Sequence, residues 1–421
     1  MELVILIFLK AYIVFIVILT IIYMVRHFVF TINRLCGEQR MCYQDIVQSD
    51  YPTISVVVPM HNEEKVAANI LDLLIKLDYP KDKMDIIPIN DHSTDNTKQI
   101  LDKYAEKYSY IKPLHRYNMK RGKPAALNDA LEISDKSIMV IFDADYLPPK
   151  GILKEMAVCF ENPEVGAVMG RVVPVNTSKN ILTRILDIER SGGYQIDQQA
   201  RYNLLLIPQY GGTVGGFKRE LCIQLGKFDP RFLTEDTDLT FRLYLNGWKV
   251  VYANRAECYE EVPEVWSVRA RQMRRWARGH NQVMFRYLLP LLTSKKVSLR
   301  EKIDGTLLLF VYSVPFFLLL GIIVSLTLFF LGETQIFTNF ALISIFTAGC
   351  SAFGNYAPFN QIGLACFLDG STYRIRLLPL LVFNFYFNMY CASLGFLDSI
   401  IDLLTGRATL WAKTERFREK M

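Results

Sequence analysis

Apolar residues in this chain are gathered at its two ends, and that segregation limits the fold more than any single motif. From Leu3 to Tyr23 the run LVILIFLKAYIVFIVILTIIY carries one charge, Lys10. Roughly 20 such residues at ~1.5 Å rise match the ~30 Å hydrocarbon core of a bilayer. A cleaved secretory signal opens on basic residues and has a shorter apolar run. Here Glu2 leads, and Arg26, His27, Arg34 and Arg40 follow. The reading is a retained anchor over residues 1–30, with the downstream chain on the cytoplasmic side. From about Pro52 to Ile303 charges, turns and short apolar runs mix as in a soluble domain.

Beyond Asp304 three apolar stretches return: Gly305–Leu331, Phe337–Tyr356 and Leu377–Leu404. Between the last two, Ala357–Gly370 is too short to cross alone as a helix; interfacial, re-entrant and additional-crossing readings all stay open. Three spans in the 304–404 block would put the basic tail, residues 405–421, outside, and an even number would keep it inside. The positive-inside tendency favours inside. This mixture explains how 421 residues can be 51% hydrophobic and still 21% charged, a balance that excludes a disordered chain. A net charge of +6 without a Lys/Arg block gives no sign of a nucleic-acid partner. The eight cysteines form no C-x-x-C pair, so neither a zinc site nor a disulfide framework is indicated.

The soluble part, residues 50–303, reads as α/β. Ile54–Val58 is a β-branched run closed by Pro59, followed by Val66, Ile70, Leu73, Leu74 and Leu77 at helical spacing. Met84–Asn90 forms a second strand, ending at Asp91 and a cluster of turn residues through Thr97 that opens a helix. Ser137–Phe142 forms a third, ending at Asp143-Ala144-Asp145. Strand–helix alternation of this kind predicts a parallel sheet, whose ligands bind beyond the carboxyl ends of the strands. Both acidic clusters fall there. Residues i and i+2 of extended backbone point the same way, so Asp143 and Asp145 can share a hard cation such as Mg²⁺ or Mn²⁺; an exposed turn explains them equally. Asp91 and the Thr234-Glu235-Asp236 run also suit helix caps. Gly211, Gly212, Gly215 and Gly216 allow a close backbone approach or tight packing. The basic stretch Arg269–Arg278 surrounding Trp276 suits anionic lipid, nucleic acid or a diphosphate. Two segments, about 181–206 (with Arg184, Glu189, Arg190 and Gln195) and 266–300, read as helices at the membrane surface, where lipid is the partner.

In order, Asp91, Asp143-Ala144-Asp145, Thr234-Glu235-Asp236 and Gln272-Met273-Arg274-Arg275-Trp276 resemble the D, DxD, TED and QxxRW series of membrane-embedded family two glycosyltransferases. That group contains the hyaluronan, chitin, cellulose and poly-N-acetylglucosamine synthases. The Val57–Glu64 opening and the Gly122-Lys123 to Asn128 segment are similar too. The resemblance implies a Rossmann-like GT-A catalytic domain on the cytoplasmic face of the plasma membrane, with transmembrane helices around it. Its donor is a nucleotide-diphosphate sugar, with UDP-N-acetylglucosamine or UDP-glucose expected, and its acceptor a growing β-linked polysaccharide. By carry-over, Asp91 and Lys123 contact the nucleoside, Asp143 lies near the ribose, and Asp145 ligates Mg²⁺ or Mn²⁺. Asp236 is the general base with Glu235 beside it at the acceptor, Gln272 and Arg275 hold the diphosphate, and Trp276 lies beneath the acceptor sugar. Trp411, Lys413, Thr414 and Arg416 resemble a gating segment, though an interfacial anchor accounts for them as well. The rival expectations are a non-processive transferase acting on a lipid acceptor, and a catalytically silent carbohydrate-binding membrane protein. Donor sugar, linkage and oligomeric state are not legible in the sequence.

Overall fold

A computed structural model of the chain describes residues 2–41, 50–117, 120–333 and 356–406. Its first element is a single long helix, α1 (Glu2–Cys36). The elements of the α/β domain follow as β1 (Ile54–Met60), α2 (Ala67–Ile75), β2 (Met84–Asp91), α3 (Thr97–Lys107), β3 (Leu114–Arg116), α4 (Lys123–Ile133) and β4 (Ile138–Ile141). After these come α5 (Ile152–Ala157), β5 (Val165–Pro174), α6 (Ile181–Ser191), a π-helical stretch (Gly192–Gln198), α7 (Gln199–Asn203), β6 (Gly215–Lys218), α8 (Arg219–Gln224), α9 (Glu235–Leu245) and β7 (Lys249–Glu260).

The seven strands form one sheet in the order β3-β2-β1-β4-β6-β5-β7. β2, β1 and β4 run parallel, as their β-branched character predicts, and the short β3, not expected from the sequence, joins β2 in parallel. β6 departs from that expectation and pairs antiparallel with both β4 and β5. Its Gly215 and Gly216 leave room for close neighbours: a Cβ on Gly216 would stand 3.0 Å from the Val140 side chain. Strand periodicity divides the core in two. Val56, Val58, Ile86 and Val140 pack on one face with Ile70 and Leu74 of α2. Val57, Ile87 and Ile141 pack on the other with Leu127 of α4 and Leu239 and Phe241 of α9.

The second core does not stop at the domain's edge. It continues through Val283 and Tyr287 of α10 (Trp266–Thr293), Leu308 and Leu309 of α11 (Leu299–Phe310), and Phe396 of α14 (Leu381–Thr405). Between them lie α12 (Val314–Phe330) and a helix over residues 356–368, α13. The apolar stretch expected as one span, Gly305–Leu331, is a pair of helices, α11 and α12, bent by 63°. Pro315, in the first turn of α12, has no N–H for the preceding turn. Side chains take up carbonyls on both sides of the break: the Tyr23 hydroxyl donates to Leu307 O at 2.7 Å, His280 Nε2 to Leu308 O at 2.8 Å and the Tyr12 hydroxyl to Phe317 O at 2.9 Å. A break in an apolar environment needs such partners.

Among the described residues two helices are long and apolar enough to cross a membrane, Leu3–Cys36 and Thr372–Thr405, and the bent pair makes a third if counted as one span. Most of the expected Phe337–Tyr356 span and the segment with Trp411, Lys413, Thr414 and Arg416 lie outside the described residues. The six cysteines that are described are free.

Helices α10 and α14 run side by side in the same direction, from the Trp266–Phe387 ring contact to the Arg274–Asp398 and Arg278–Asp402 ion pairs. Gly395 sets their spacing, since a Cβ there would meet Ala277 Cβ at 2.8 Å and the Arg274 carbonyl closer still. Gly395→Val is expected to lower the Tm of detergent-solubilised protein by several degrees, consistent with an overpacking cost of about 1–3 kcal/mol. Gly363→Ala, whose Cβ meets only Leu378 at 3.6 Å, should leave Tm unchanged. Equal Tm values for the two variants would show that the contact is not tight.

Candidate active site

The carboxyl ends of β1, β2 and β4 open into a cavity of about 1460 Å³. Nine residues singled out in the sequence line it: Asp91, Lys123, Asp143, Asp145, Glu235, Asp236, Gln272, Arg275 and Trp276. The same cavity continues past Trp276 between α1, α12 and α14, along Ile16, Thr20, Tyr312, Leu318, Asn388 and Met389.

Asp91, the last residue of β2, is held in place from three directions. Its Oδ1 accepts from Arg116 and, at 2.7 Å, from His92 Nδ1; its Oδ2 accepts from the Gly122 N–H at 3.0 Å. Arg116 is 1% exposed and also bonds Asp129 and the Lys120 carbonyl. The reading from sequence missed Arg116, because nothing local distinguishes it: its value lies in pairing β3 to the end of β2. A capping role for Asp91 is not realised, since Asn96 starts α3.

Lys123 opens α4 behind Gly122, whose φ of 115° turns the chain inward. Its Nζ stands 2.7 Å from Asp143 Oδ1 and 3.9 Å from Glu235 Oε1. Burial alone would favour the neutral amine, but Asp143 and Glu235 outweigh it and raise the Lys123 pKa. Asp143 is further fixed through its N–H, which donates to Thr213 Oγ1 at 3.1 Å. Asp145, two residues on, is 2% exposed.

Glu235 and Asp236 begin α9. No cap bond comes from Thr234; Asp236 does that work through its Oδ1, which accepts the Thr237 N–H at 2.7 Å. Behind Asp236 lies Gly212 at φ +71°, where a Cβ would stand 3.0 Å from the Asp236 Cβ. Of the two readings open for the glycine-rich segment, the contacts are those of tight packing: Gly212 lies against the Asp236 side chain and Gly215 against Tyr210. Burial raises the pKa of Asp236, against the pull of the Thr237 N–H. Burial likewise pushes the Glu235 carboxyl up to about 7, with Lys123 opposing the shift and Asp236 adding to it.

On α10, the Gln272 amide oxygen accepts from Arg269 at 3.0 Å. Arg269 is buried and pairs with Glu189 of α6, whose carboxylate also accepts from Asn384 and Asn388 of α14. Of the polar residues singled out in this segment, Glu189 and Arg190 line the cavity, Gln195 of the π-helical stretch bonds Asp369, and Arg184 is exposed. Tyr146, Glu260 and Tyr194 line it too and were missed, each being a lone polar residue with partners far off in sequence.

Among the described residues no three His, Cys, Asp or Glu side chains form a ready-made metal cage. The donor set at Asp143 and Asp145 is nevertheless the hard carboxylate oxygen that Mg²⁺ and Mn²⁺ take. Such ions commonly use one or two protein carboxylates and complete their shell with phosphate oxygens and water.

A family model described as "Glycosyltransferase like family 2" matches residues 52–279, the whole sheet and the start of α10. The chain belongs to glycosyltransferase family 2. A probable glycosyltransferase of Bacillus subtilis, YdaM, is 34% identical over 283 residues, spanning 66% of this chain and 66% of that relative, just under two thirds of each. Among solved structures, the mannosyltransferase PcManGT from Pyrobaculum calidifontis, in complex with GDP-Man and Mn²⁺, superposes with a TM-score of 0.62 at 19% identity, covering 86% of this chain and 98% of that one. TarS of S. aureus, residues 1–349, gives a TM-score of 0.44 at 18% identity over 84% and 92% of the two chains. The mixed α/β sheet is thus of the GT-A type.

The raised Glu235 pKa has a consequence for stability. A carboxyl with a folded pKa above its unfolded value of 4.5 contributes stability that is full below that value and is lost as pH climbs through the folded one. Glutamine copies the protonated form. Glu235→Gln is therefore expected to match wild-type Tm near about pH 5 and exceed it by a few degrees near about pH 8. A Tm lower than wild type at the alkaline pH would show that the Lys123 pairing outweighs burial.

Proposed function

We propose that this glycosyltransferase is membrane-bound and polymerises sugar from a nucleotide-diphosphate donor, inverting the anomeric carbon and passing a β-linked chain along its own membrane helices. One observation carries the reading: the cavity at the carboxylate cluster continues without interruption past Trp276 into the space between α1, α12 and α14. A transferase acting on a water-soluble acceptor needs no such extension.

The donor end fits a uridine nucleotide. With Oδ1 of Asp91 taken by Arg116 and His92 and one position on Oδ2 by Gly122, the carboxylate has one strong acceptor position left. That suits the single ring N–H of uracil better than the paired N–H groups of guanine. Asp145, with Asp143, would hold Mg²⁺ or Mn²⁺ against the diphosphate; the ion supplies charge neutralisation for the leaving group. Arg275 and Gln272 bind that same diphosphate from α10. Asp236 accepts the proton of the attacking hydroxyl, and its raised pKa makes it a better base than an exposed aspartate. One base and one displacement invert the donor's α-linkage to a β-linkage. The Trp276 indole offers a flat apolar face to the C–H face of the acceptor pyranose.

Membranes containing the full chain, given Mg²⁺ or Mn²⁺ and a panel of labelled UDP- and GDP-sugars, are expected to form high-molecular-weight product from a UDP-sugar. Only single-sugar, lipid-soluble product would reject polymerisation and favour a lipid acceptor. Asp236→Asn should cut transfer by about 10²–10⁴-fold while UDP affinity, measured by calorimetry, stays within about twofold of wild type. Near-normal turnover would remove Asp236 as the base. Asp145→Ala should abolish the metal-dependent part of UDP affinity.

A further inference from the structure

Arg190 is the next-to-last residue of α6, just ahead of the π-helical stretch. Its Nε stands 2.7 Å from Glu260 Oε1, and its guanidinium carbon lies 5.1 Å from the centre of the Trp276 ring. The second oxygen of Glu260 accepts the Tyr146 hydroxyl at 2.7 Å. Tyr146 directly follows Asp145, so one chain of contacts runs from the donor-side carboxylate through Tyr146, Glu260 and Arg190 to Trp276. Tyr146, Glu260, Arg190 and Trp276 all line the cavity.

This placement is chemically specific. Glu260 is 6% exposed and Tyr146 5%, so the carboxylate that holds Arg190 is itself fixed and largely out of water. Among the described residues Glu260 is the only ion-pair partner of Arg190, whose side chain is 23% exposed and lines the cavity. A guanidinium beside an indole presents a pyranose with two kinds of contact: an apolar face for its C–H bonds and directed donors for the hydroxyls at its edge. The second arginine near the ring, Arg269 at 5.5 Å, is 2% exposed and has its terminal nitrogens committed to Gln272 and Glu189. It supports the ring, and Arg190 is left to meet the ligand.

We propose that Arg190 binds the acceptor sugar directly, donating to its hydroxyls while Trp276 carries the ring, with Glu260 holding the guanidinium in that pose. The proposal rests on the glycosyltransferase reading above and adds an acceptor-binding residue from outside the QxxRW segment. A purely structural role, tying α6 to β7, would affect stability and not the fate of the transferred sugar. A diphosphate-binding role would weaken the donor.

The test separates these roles by what becomes of the donor. Full-length enzyme in membranes is given the labelled sugar nucleotide that wild type turns over. Nucleoside diphosphate release and sugar incorporation into product are measured separately. Arg190→Met keeps a long apolar side chain at the site and removes the donors. It is expected to lower incorporation by about tenfold or more, the scale of losing a charged hydrogen bond. Donor hydrolysis by water and affinity for the released nucleoside diphosphate should remain near wild type. Arg190→Lys, a milder change should the Met variant fold poorly, is expected to recover part of the incorporation. Incorporation equal to or above wild type in the Met variant, or in the Lys variant alone if only that one folds, would overturn the proposal. So would a parallel fall in hydrolysis and nucleotide affinity, which would assign Arg190 to the donor. A wild-type enzyme that turns over no sugar nucleotide would sink the glycosyltransferase reading instead.

Discussion

Asp304 takes Arg26 Nε at 3.3 Å on one oxygen and Arg201 Nε at 3.2 Å on the other, and all three side chains are almost fully buried. Arg26 belongs to α1, Arg201 to α7 and Asp304 to α11, so this one carboxylate joins the long apolar amino-terminal helix, the α/β domain and the bent helix pair. Burying any one of these charges alone would cost several kcal/mol, and the arrangement is tolerable only with all three in place. Arg26 also lies 4.4 Å from the Phe30 ring, and Asp197 reaches Gln361 of α13. The position of α1 against the domain follows from this cluster, and with it the wall formed by Ile16, Thr20 and Tyr23 where the cavity leaves the sheet. Membrane helix and active site are registered to each other by charge, and the shared apolar core then fills around them.

What could be read from the sequence was what lies close together along the chain. Strands β1, β2 and β4 announce themselves by β-branched runs, and their acidic ends follow within one or two residues. That is enough to place Asp91, Asp143 and Asp145 at one edge of a sheet. The Thr234–Asp236 and Gln272–Trp276 segments were found because their residue types and order are so constrained, and the fold brings them to the same cavity. Arg116, Glu260 and Arg190 were out of reach for the opposite reason. Each matters through distant partners, from 25 residues for Arg116–Asp91 to 114 for Tyr146–Glu260, and nothing in the local sequence separates them from ordinary polar positions. Glu189 and Arg190 illustrate the trap: at helical spacing beside apolar residues they look like the wet face of an amphipathic helix, yet that face is turned to an internal cavity. The bend in Gly305–Leu331 was hidden in a similar way. Hydropathy counts residues and is blind to Pro315, whose missing N–H matters only once the helix exists.

The carboxylates of the site give a reason for this long-range architecture. Asp143, Glu235 and Asp236 crowd around Lys123, and with Asp145 nearby their charges do not cancel. In the donor-free protein one lysine moderates the repulsion, and burial raises the Glu235 pKa. A cation arriving with a diphosphate would change that balance, and the side chains able to respond are those linked to the cluster. Tyr146 is the nearest such link, since it joins the end of β4 to Glu260 at the end of β7. Glu260 in turn fixes Arg190 against Trp276, on the helix whose neighbouring turn bears Gln272. The proposed donor and acceptor ends are therefore linked by the Tyr146–Glu260 hydrogen bond and the Arg190–Glu260 ion pair. On the polymerising reading proposed above, such a connection would let each new acceptor end meet Asp236 only when a donor is present.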